Sequence, residues 1–86
     1  MRIYMQIPAM NDQSPRFYQI YLERDLIDGW NVVKEWGRVG ASGKVVKEHF
    51  SDREQAENAV FASRDTQTKR GYQVVFVQGD QGPHVL

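Results

Sequence analysis

Apolar and polar residues alternate at the start of the chain, a pattern typical of a strand with one buried face. Ile3, Met5 and Ile7 lie on one face of the extended segment 2–7. Pro8 ends this segment, because proline cannot donate to a sheet ladder. A polar stretch follows, so the pattern predicts a short strand that a loop separates from the body of the domain.

Three further strands are predicted at hairpin spacing, over residues 16–24, 30–36 and 44–50. Asp28-Gly29 is the strongest turn signal between the first two of them. A glycine-rich segment separates the last two and predicts a second turn. Short turns of this kind join antiparallel neighbours, so the sheet is expected to be mainly antiparallel.

The middle strand of these three contains a conflict. Trp30, Val32 and Trp36 share one face, but Lys34 occupies a position on that face where an apolar residue is expected. A β-bulge near Lys34 or Glu35 would resolve the conflict and would re-aim the residues that follow. The sequence therefore predicts an irregular strand at this point.

The residues after position 50 predict one helix. Ser51-Asp52-Arg53-Glu54 matches a capping box, in which the Ser51 hydroxyl caps the first turn and Glu54 reaches back. Gly71 is expected to end the helix as the residue just beyond its C-cap. The apolar stripe has helical spacing and comprises Ala56, Ala59, Val60 and Ser63, with Phe61 broadening it.

Two segments follow the helix. Residues 72–77 are nearly all apolar and predict a final strand buried on both faces. Residues 78–86 contain glycine and proline and predict a flexible tail. The order of elements predicts an α+β fold: a mainly antiparallel β-sheet of about five strands with one α-helix packed across it, in a single domain over residues 1–86.

Composition narrows the classes of function. The 86-residue chain has eleven acidic and eleven basic side chains and a net charge of zero, which argues against an indiscriminate polyanion binder. It has no cysteine, which excludes disulfides, thiol catalysis and cysteine-based zinc sites. The first residues contain no long apolar run, so we expect neither a signal peptide nor a membrane span, and a cytoplasmic protein.

Cations gather around the glycine-rich turn. Trp36 and Arg38 flank Gly37 and leave the same face of an extended chain, which places an indole beside a guanidinium. The ring offers a stacking surface and the guanidinium offers donors to phosphate oxygens. The alternative is that Trp36 caps the core and Arg38 is solvated, and residue type alone leaves both open. The nearby cations are Lys34, Lys44 and Lys47.

We find no pattern of catalytic residues. The segment from Gly40 to Lys44 departs from a phosphate-cradling loop in its spacing and in the Val45 that follows the lysine. His49 and His84 have no acidic or hydroxyl partner at motif spacing, so neither a catalytic triad nor a metal site is expected. The sequence predicts no enzyme, no cofactor and no bound metal.

The tripeptide Trp36-Gly37-Arg38 resembles the motif for which the WGR domain is named. The likeness covers roughly residues 16–72, including the predicted helix and the Gly-Tyr pair that follows it. The flanking strand at 2–7 resembles that of the small stand-alone bacterial members of the family. The resemblance implies a twisted antiparallel sheet with one helix, and contact with DNA.

The resemblance also implies roles for individual residues. In the eukaryotic poly(ADP-ribose) polymerases this domain binds DNA near a strand break, where the motif tryptophan packs on a terminal sugar and the motif arginine helps communicate with the catalytic parts. Carried over, Trp36 becomes a stacking residue and Arg38 a contact to a phosphate or a partner. Arg16 matches a basic position near the DNA backbone. An 86-residue chain has no room for the polymerase domain itself.

Two functions therefore follow from the sequence. The preferred hypothesis is a non-enzymatic nucleic-acid-binding module that contacts duplex DNA at ends or nicks. The alternative is a protein-interaction adaptor that uses the same exposed face or the edge strands. If segment 2–7 is an edge strand, it could pair between chains. The residues expected to contact DNA are Trp36, Gly37, Arg38, Arg16, Lys44 and Lys47.

Overall fold

A computed structural model describes residues 1–79 and 82–84. All strand pairs are antiparallel, and the sheet order is β4-β3-β2-β1-β5-β6. The helix packs against β2, β3 and β4 on one face of the sheet, which confirms the predicted α+β fold. The elements are β1 (Arg2–Ile7), β2 (Arg16–Arg24), β3 (Trp30–Arg38), β4 (Lys44–Phe50), α1 (Arg53–Lys69), β5 (Gln73–Gly79) and β6 (Gly82–His84).

The N-terminal strand lies in the interior of the sheet. β1 pairs with β2 on one side, where Ile3 lies opposite Ile20, and with β5 on the other, where Ile3 lies opposite Val77. Its backbone groups are therefore used on both sides, and the expectation that it could pair between chains is wrong. Among the described strands, β4 and β6 form the edges.

The predicted bulge in β3 is also wrong. The pairing of β3 with β2 runs without a shift from Trp30 to Arg38, and the irregularity of the sheet lies in the β1–β5 pairing, between Tyr4 and Met5. Lys34 therefore stays on the helix-side face with its apolar neighbours. A lysine is tolerated there because its aliphatic stem can lie along apolar surface while the ammonium reaches water.

The hydrophobic core lies between the sheet and α1. Ile20 and Val60 are completely buried at its centre. Gln67 extends the buried stripe of the helix by one more turn, whereas Phe61 is exposed, with the guanidinium of Arg64 5.0 Å from its ring centroid. The prediction that Phe61 broadens the stripe is wrong, because one residue step turns the side chain by about 100° away from Val60. The core comprises Ile3, Met5, Tyr18, Ile20, Val32, Ala56 and Val60.

The two ends of α1 follow from their capping residues. The N-cap is Asp52 and not Ser51 as predicted: an oxygen of its carboxylate accepts a hydrogen bond from the backbone N–H of Glu54 at 3.0 Å. A carboxylate at this position also complements the helix dipole. Gly71 ends the helix as predicted, with φ of +103°. Over the described residues, no helix has the length and apolarity needed to cross a bilayer.

The C-terminal region differs from its prediction. Every residue of β5 is either exposed or half-buried, so this strand is not buried on both faces. The reason is that α1 covers the other half of the sheet. Within the predicted flexible tail, Gln78 and Gly79 belong to β5, and Gly82–His84 forms β6 against it. The rest of the predicted tail, residues 80, 81, 85 and 86, lies outside the described residues.

Candidate nucleic-acid interface

Trp36 lies near the end of β3, on the face of the sheet that α1 covers. Its ring stacks on that of Tyr18, directly opposite on β2, with 5.6 Å between centroids and 12° between planes. Tyr72 in turn meets Tyr18 edge to face at 5.7 Å. Trp36 is half-buried and packs against the core. One part of the ring therefore packs against the core, as the alternative interpretation of the sequence expects, and another part lines the surface.

A hollow opens at this end of the sheet, bounded on one side by Trp36. Its volume is about 370 Å³, within the range of about 300–1,000 Å³ typical of small-ligand pockets. None of the described residues that line it is acidic. We call it the tryptophan hollow; its lining residues are Ile7, Arg16, Tyr18, Trp36, Gln67, Arg70 and Tyr72.

Three arginines converge on the tryptophan hollow and its rim. Arg16 and Arg38 lie directly opposite each other on β2 and β3, and both are exposed. A second hollow lies between them and Trp36, lined also by Gly37 and Tyr72. Like charges directly opposite in a sheet are unfavourable. Such an arrangement is instead suited to an anion that contacts both guanidinium groups.

Arg70 is the third of these arginines, and sequence reasoning missed its place in the site. It is the C-cap of α1, a position where a cation complements the helix dipole. The packing of α1 across the sheet brings Arg70 to the tryptophan hollow, beside Arg16 and Trp36. Its position directly before Gly71 was the only available signal, because a helix C-terminus is where a cation is favoured.

Two glycines allow the β3–β4 turn to approach the strand that carries the motif. A Cβ added to Gly43 would lie 2.7 Å from the backbone oxygen of Trp36, and one added to Gly37 would lie 3.1 Å from the Cα of Gly43. Either side chain would push the turn away from β3. Gly37 therefore contributes to the site mainly by letting the turn pack against the strand between Trp36 and Arg38.

The two lysines predicted for the site lie on different faces of the sheet. Lys44 pairs with Trp36 and shares its face, whereas Lys47 pairs with Val33 and lies on the opposite face. The Nζ of Lys47 is 3.0 Å from a carboxylate oxygen of Glu23, and this hydrogen bond raises the pKa of Lys47. The structure does not bring Lys47 to the tryptophan hollow, because residues an odd number of positions apart along a strand point to opposite faces.

A separate polar cluster occupies that opposite face at the other end of β3. The side-chain amide of Asn31, which is 5% exposed, donates to a carboxylate oxygen of Asp25 at 2.9 Å. Nδ1 of His49 lies 3.1 Å from the amide oxygen of Asn31 and 3.7 Å from the carboxylate of Asp25. Sequence reasoning found no partner for His49, because Asp25 is distant along the chain. No group of His, Asp or Glu within the described residues is arranged to hold a metal ion.

The carboxylate of Asp25 organises the β2–β3 turn. It accepts hydrogen bonds from the backbone N–H of Ile27 at 2.9 Å and of Asp28 at 3.3 Å, as well as from Asn31. These bonds, with that from Ile27 the strongest, lower the pKa of Asp25 from 3.8 to about 2. The carboxylate of Asp25 therefore loses its proton more readily in the folded chain than in the unfolded chain. Its charge stabilises the fold at pH values above its pKa in the unfolded chain.

We expect the contribution of Asp25 to disappear in acid. Near neutral pH, Asp25→Asn should have a lower free energy of unfolding than the wild type, because the amide carries no charge for the backbone donors. The difference should shrink as the pH falls from about 4 to about 2, since a protonated carboxyl resembles the amide. Urea unfolding of both proteins across this range measures it. A difference that is the same at every pH would show that the charge does not hold the turn.

Comparisons with known proteins agree with the sequence motif. The family model of the WGR domain matches residues 1–78. An uncharacterized protein of Sinorhizobium fredii, y4dW, is 27% identical over 71 residues, which is 83% of this chain and 35% of that protein. The chain thus spans about a third of the length of this relative. No solved structure matches. The chain belongs to the WGR family, whose domains are nucleic-acid-binding modules and are not catalytic by themselves.

Proposed function

We propose that this domain binds duplex DNA at ends or nicks through the tryptophan hollow and its basic rim. Trp36 supplies the stacking surface, and Arg16 and Arg38 contact phosphates. The observation that supports this most strongly is the convergence of exposed guanidinium groups on a hollow bounded by an aromatic ring. Gly37 shapes the site, and Lys44 adds a cation on the same face.

The shape of the site favours a DNA terminus over continuous duplex. In an intact duplex the faces of the bases are covered by their stacked neighbours, whereas an end or a nick exposes a terminal sugar and base. Trp36 is half-buried in the wall of the tryptophan hollow, so a terminal nucleotide could reach its ring while the phosphates beside it meet Arg16 and Arg38. Stacking of one base on an aromatic ring is worth about 1–3 kcal/mol.

A net charge of zero does not oppose this proposal, because the cations proposed to contact DNA are gathered in one place. Arg16, Arg38 and Arg70 lie at the end of the sheet where α1 finishes. The carboxylates of Asp25 and Asp52 lie at the other end, near the start of β3 and of α1. The described residues that line the two hollows thus include three arginines and no carboxylate, and binding should weaken as salt screens these cations.

The proposal predicts that two tryptophans of one strand behave differently. Trp30 and Trp36 are both half-buried, lie on the same face of β3 and pack against the core, but Trp30 is at the end away from the tryptophan hollow. Trp36→Leu should weaken binding to a nicked or blunt-ended duplex by about 5- to 100-fold, because stacking is lost. Trp30→Leu should change it by less than about twofold.

Fluorescence anisotropy of labelled intact, nicked and blunt-ended duplexes, at low and moderate salt, measures these affinities. Circular dichroism of each variant shows that it is folded at the temperature used. Saturable binding that prefers an end or a nick and falls with salt supports the proposal. Absence of binding at low salt, or an equal loss in both tryptophan variants, contradicts it.

A further inference from the structure

Two large apolar side chains are fully exposed at the turn between β2 and β3. Leu26 and Ile27 have relative exposures of 102% and 95%, the highest among the exposed large hydrophobic residues described. The turn that carries them is held by the carboxylate of Asp25, and the backbone N–H of Asp25 donates to the carbonyl of Gly29 at 3.0 Å. These side chains, the apolar tip, are therefore displayed on an ordered support, which lowers the entropic cost of binding.

The turn that carries the apolar tip is acidic. Asp25 and Asp28 belong to it, and it contains no cation. A Cβ added to Gly29 would lie 3.1 Å from the Cα of Ser51, so the start of α1, with Asp52 as its N-cap, is at the same end of the domain. A partner surface that fits this end is apolar at its centre and basic at its rim.

The opposite end of the same domain has those properties. The tryptophan hollow presents Tyr18, Trp36 and Tyr72 on its walls and is bordered by Arg16 and Arg70. The six residue steps from Trp30 to Trp36 along β3 separate the two ends by about 20 Å. A chain therefore cannot place the apolar tip in its own hollow, but it can present the tip to another copy.

We propose that the apolar tip of one copy docks into the tryptophan hollow of a second copy. Leu26 and Ile27 would pack on the aromatic walls, and the carboxylates of Asp25 and Asp28 would face the arginines of the rim. The contact joins two different surfaces, so each dimer retains one free tip and one free hollow and can extend head to tail. A second copy in the hollow would cover cations that the proposed DNA contact uses, so the two would compete.

Another arrangement of two copies would give a different result. β4 is an edge strand, and Val45 and Val46 are 60% and 48% exposed on it. Two copies could pair through this edge, as unpaired strands often do. Such pairing would not need the apolar tip or the arginines of the hollow, so substitutions separate the two arrangements.

Sedimentation velocity from micromolar to millimolar protein, at low and moderate salt and without DNA, tests the proposal. The average molecular mass of the wild type should increase with protein concentration. This increase should be smaller at higher salt. A tip variant, Leu26→Ser with Ile27→Ser, and a hollow variant, Arg16→Glu with Arg70→Glu, should each have an apparent dissociation constant raised by about a hundredfold or more. A matched control, Val45→Ser with Val46→Ser, removes apolar surface elsewhere and should associate like the wild type.

Mixing the two defective variants gives the decisive result. The tip variant retains an intact hollow, and the hollow variant retains an intact tip. An equimolar mixture should therefore form a heterodimer with near wild-type affinity and stop there, because each dimer has lost both extending surfaces. A wild type that stays monomeric at millimolar concentration overturns the proposal, as does a mixture that gives no heterodimer. If the Val45 and Val46 control loses association and the tip variant keeps it, the two copies pair through the β4 edge, and the proposal is wrong.

Discussion

Replacing Arg16 and Arg38 together by glutamine is expected to lower the affinity for a nicked or blunt-ended duplex by at least about a hundredfold. A hydrogen bond to a charged group contributes about 1.5–3 kcal/mol, and the variant removes two such donors on neighbouring strands. The dependence of log affinity on log salt should also become shallower by about two, since each phosphate contact contributes about 0.9 to the slope. Anisotropy titrations at several salt concentrations measure both quantities.

A matched variant separates the site from the loss of charge. Arg24→Gln with Arg64→Gln removes the same number of cations, but Arg24 lies over Trp30 at the far end of β2 and Arg64 lies on α1 beside Asp65. This variant should keep its affinity within about threefold and its salt dependence nearly unchanged. If both double variants lose affinity equally, binding responds only to net charge and the proposed site is wrong.

Gly29→Ala is expected to reduce the free energy of unfolding by about 3 kcal/mol or more. This is a large part of the total for a small domain, which is typically about 5–15 kcal/mol. Gly29 has φ of +76°, and a Cβ there would collide with the backbone oxygen of Phe50, with the Cα of Ser51 at 3.1 Å. The colliding atoms belong to the backbone and cannot rotate away. Urea unfolding followed by circular dichroism measures the loss.

Gly40→Ala is the control for this prediction. Gly40 also has positive φ, +87°, but a Cβ there would meet nothing within 4 Å. This substitution should cost only about 1–2 kcal/mol, the penalty of placing a side chain in the left-handed conformation. Equal losses in the two variants would mean that conformation alone, and not the close packing of the β2–β3 turn against β4, makes Gly29 necessary.

Much of the local structure could be predicted from the sequence. The alternation in residues 2–7 and 16–24 located β1 and β2, and Asp28-Gly29 located the turn before β3. Gly71 correctly marked the end of α1. These features depend on interactions between residues close along the chain, which a pattern of residue types records directly.

The candidate site was only partly predictable. Trp36, Arg38 and Arg16 were found from the motif and the family resemblance, and the first two share one strand. Arg70 and Tyr72 reach the tryptophan hollow only because α1 crosses the sheet and ends there. In the sequence, Arg70 and Tyr72 indicate only where the helix ends. They do not indicate which strands lie next to that end.

The sequence by itself determined β1 to β5 and α1, their order, and the motif tryptophan and arginine, but not β6. The tertiary structure decided that β1 lies inside the sheet, that Lys47 faces away from Trp36, and that Asp25 meets Asn31 and His49. The physical reason is that local propensity acts over a few residues, whereas strand neighbours, registers and helix placement follow from burying the apolar faces of distant segments against one another. The residues of the tryptophan hollow are distant along the chain and are brought together by this burial.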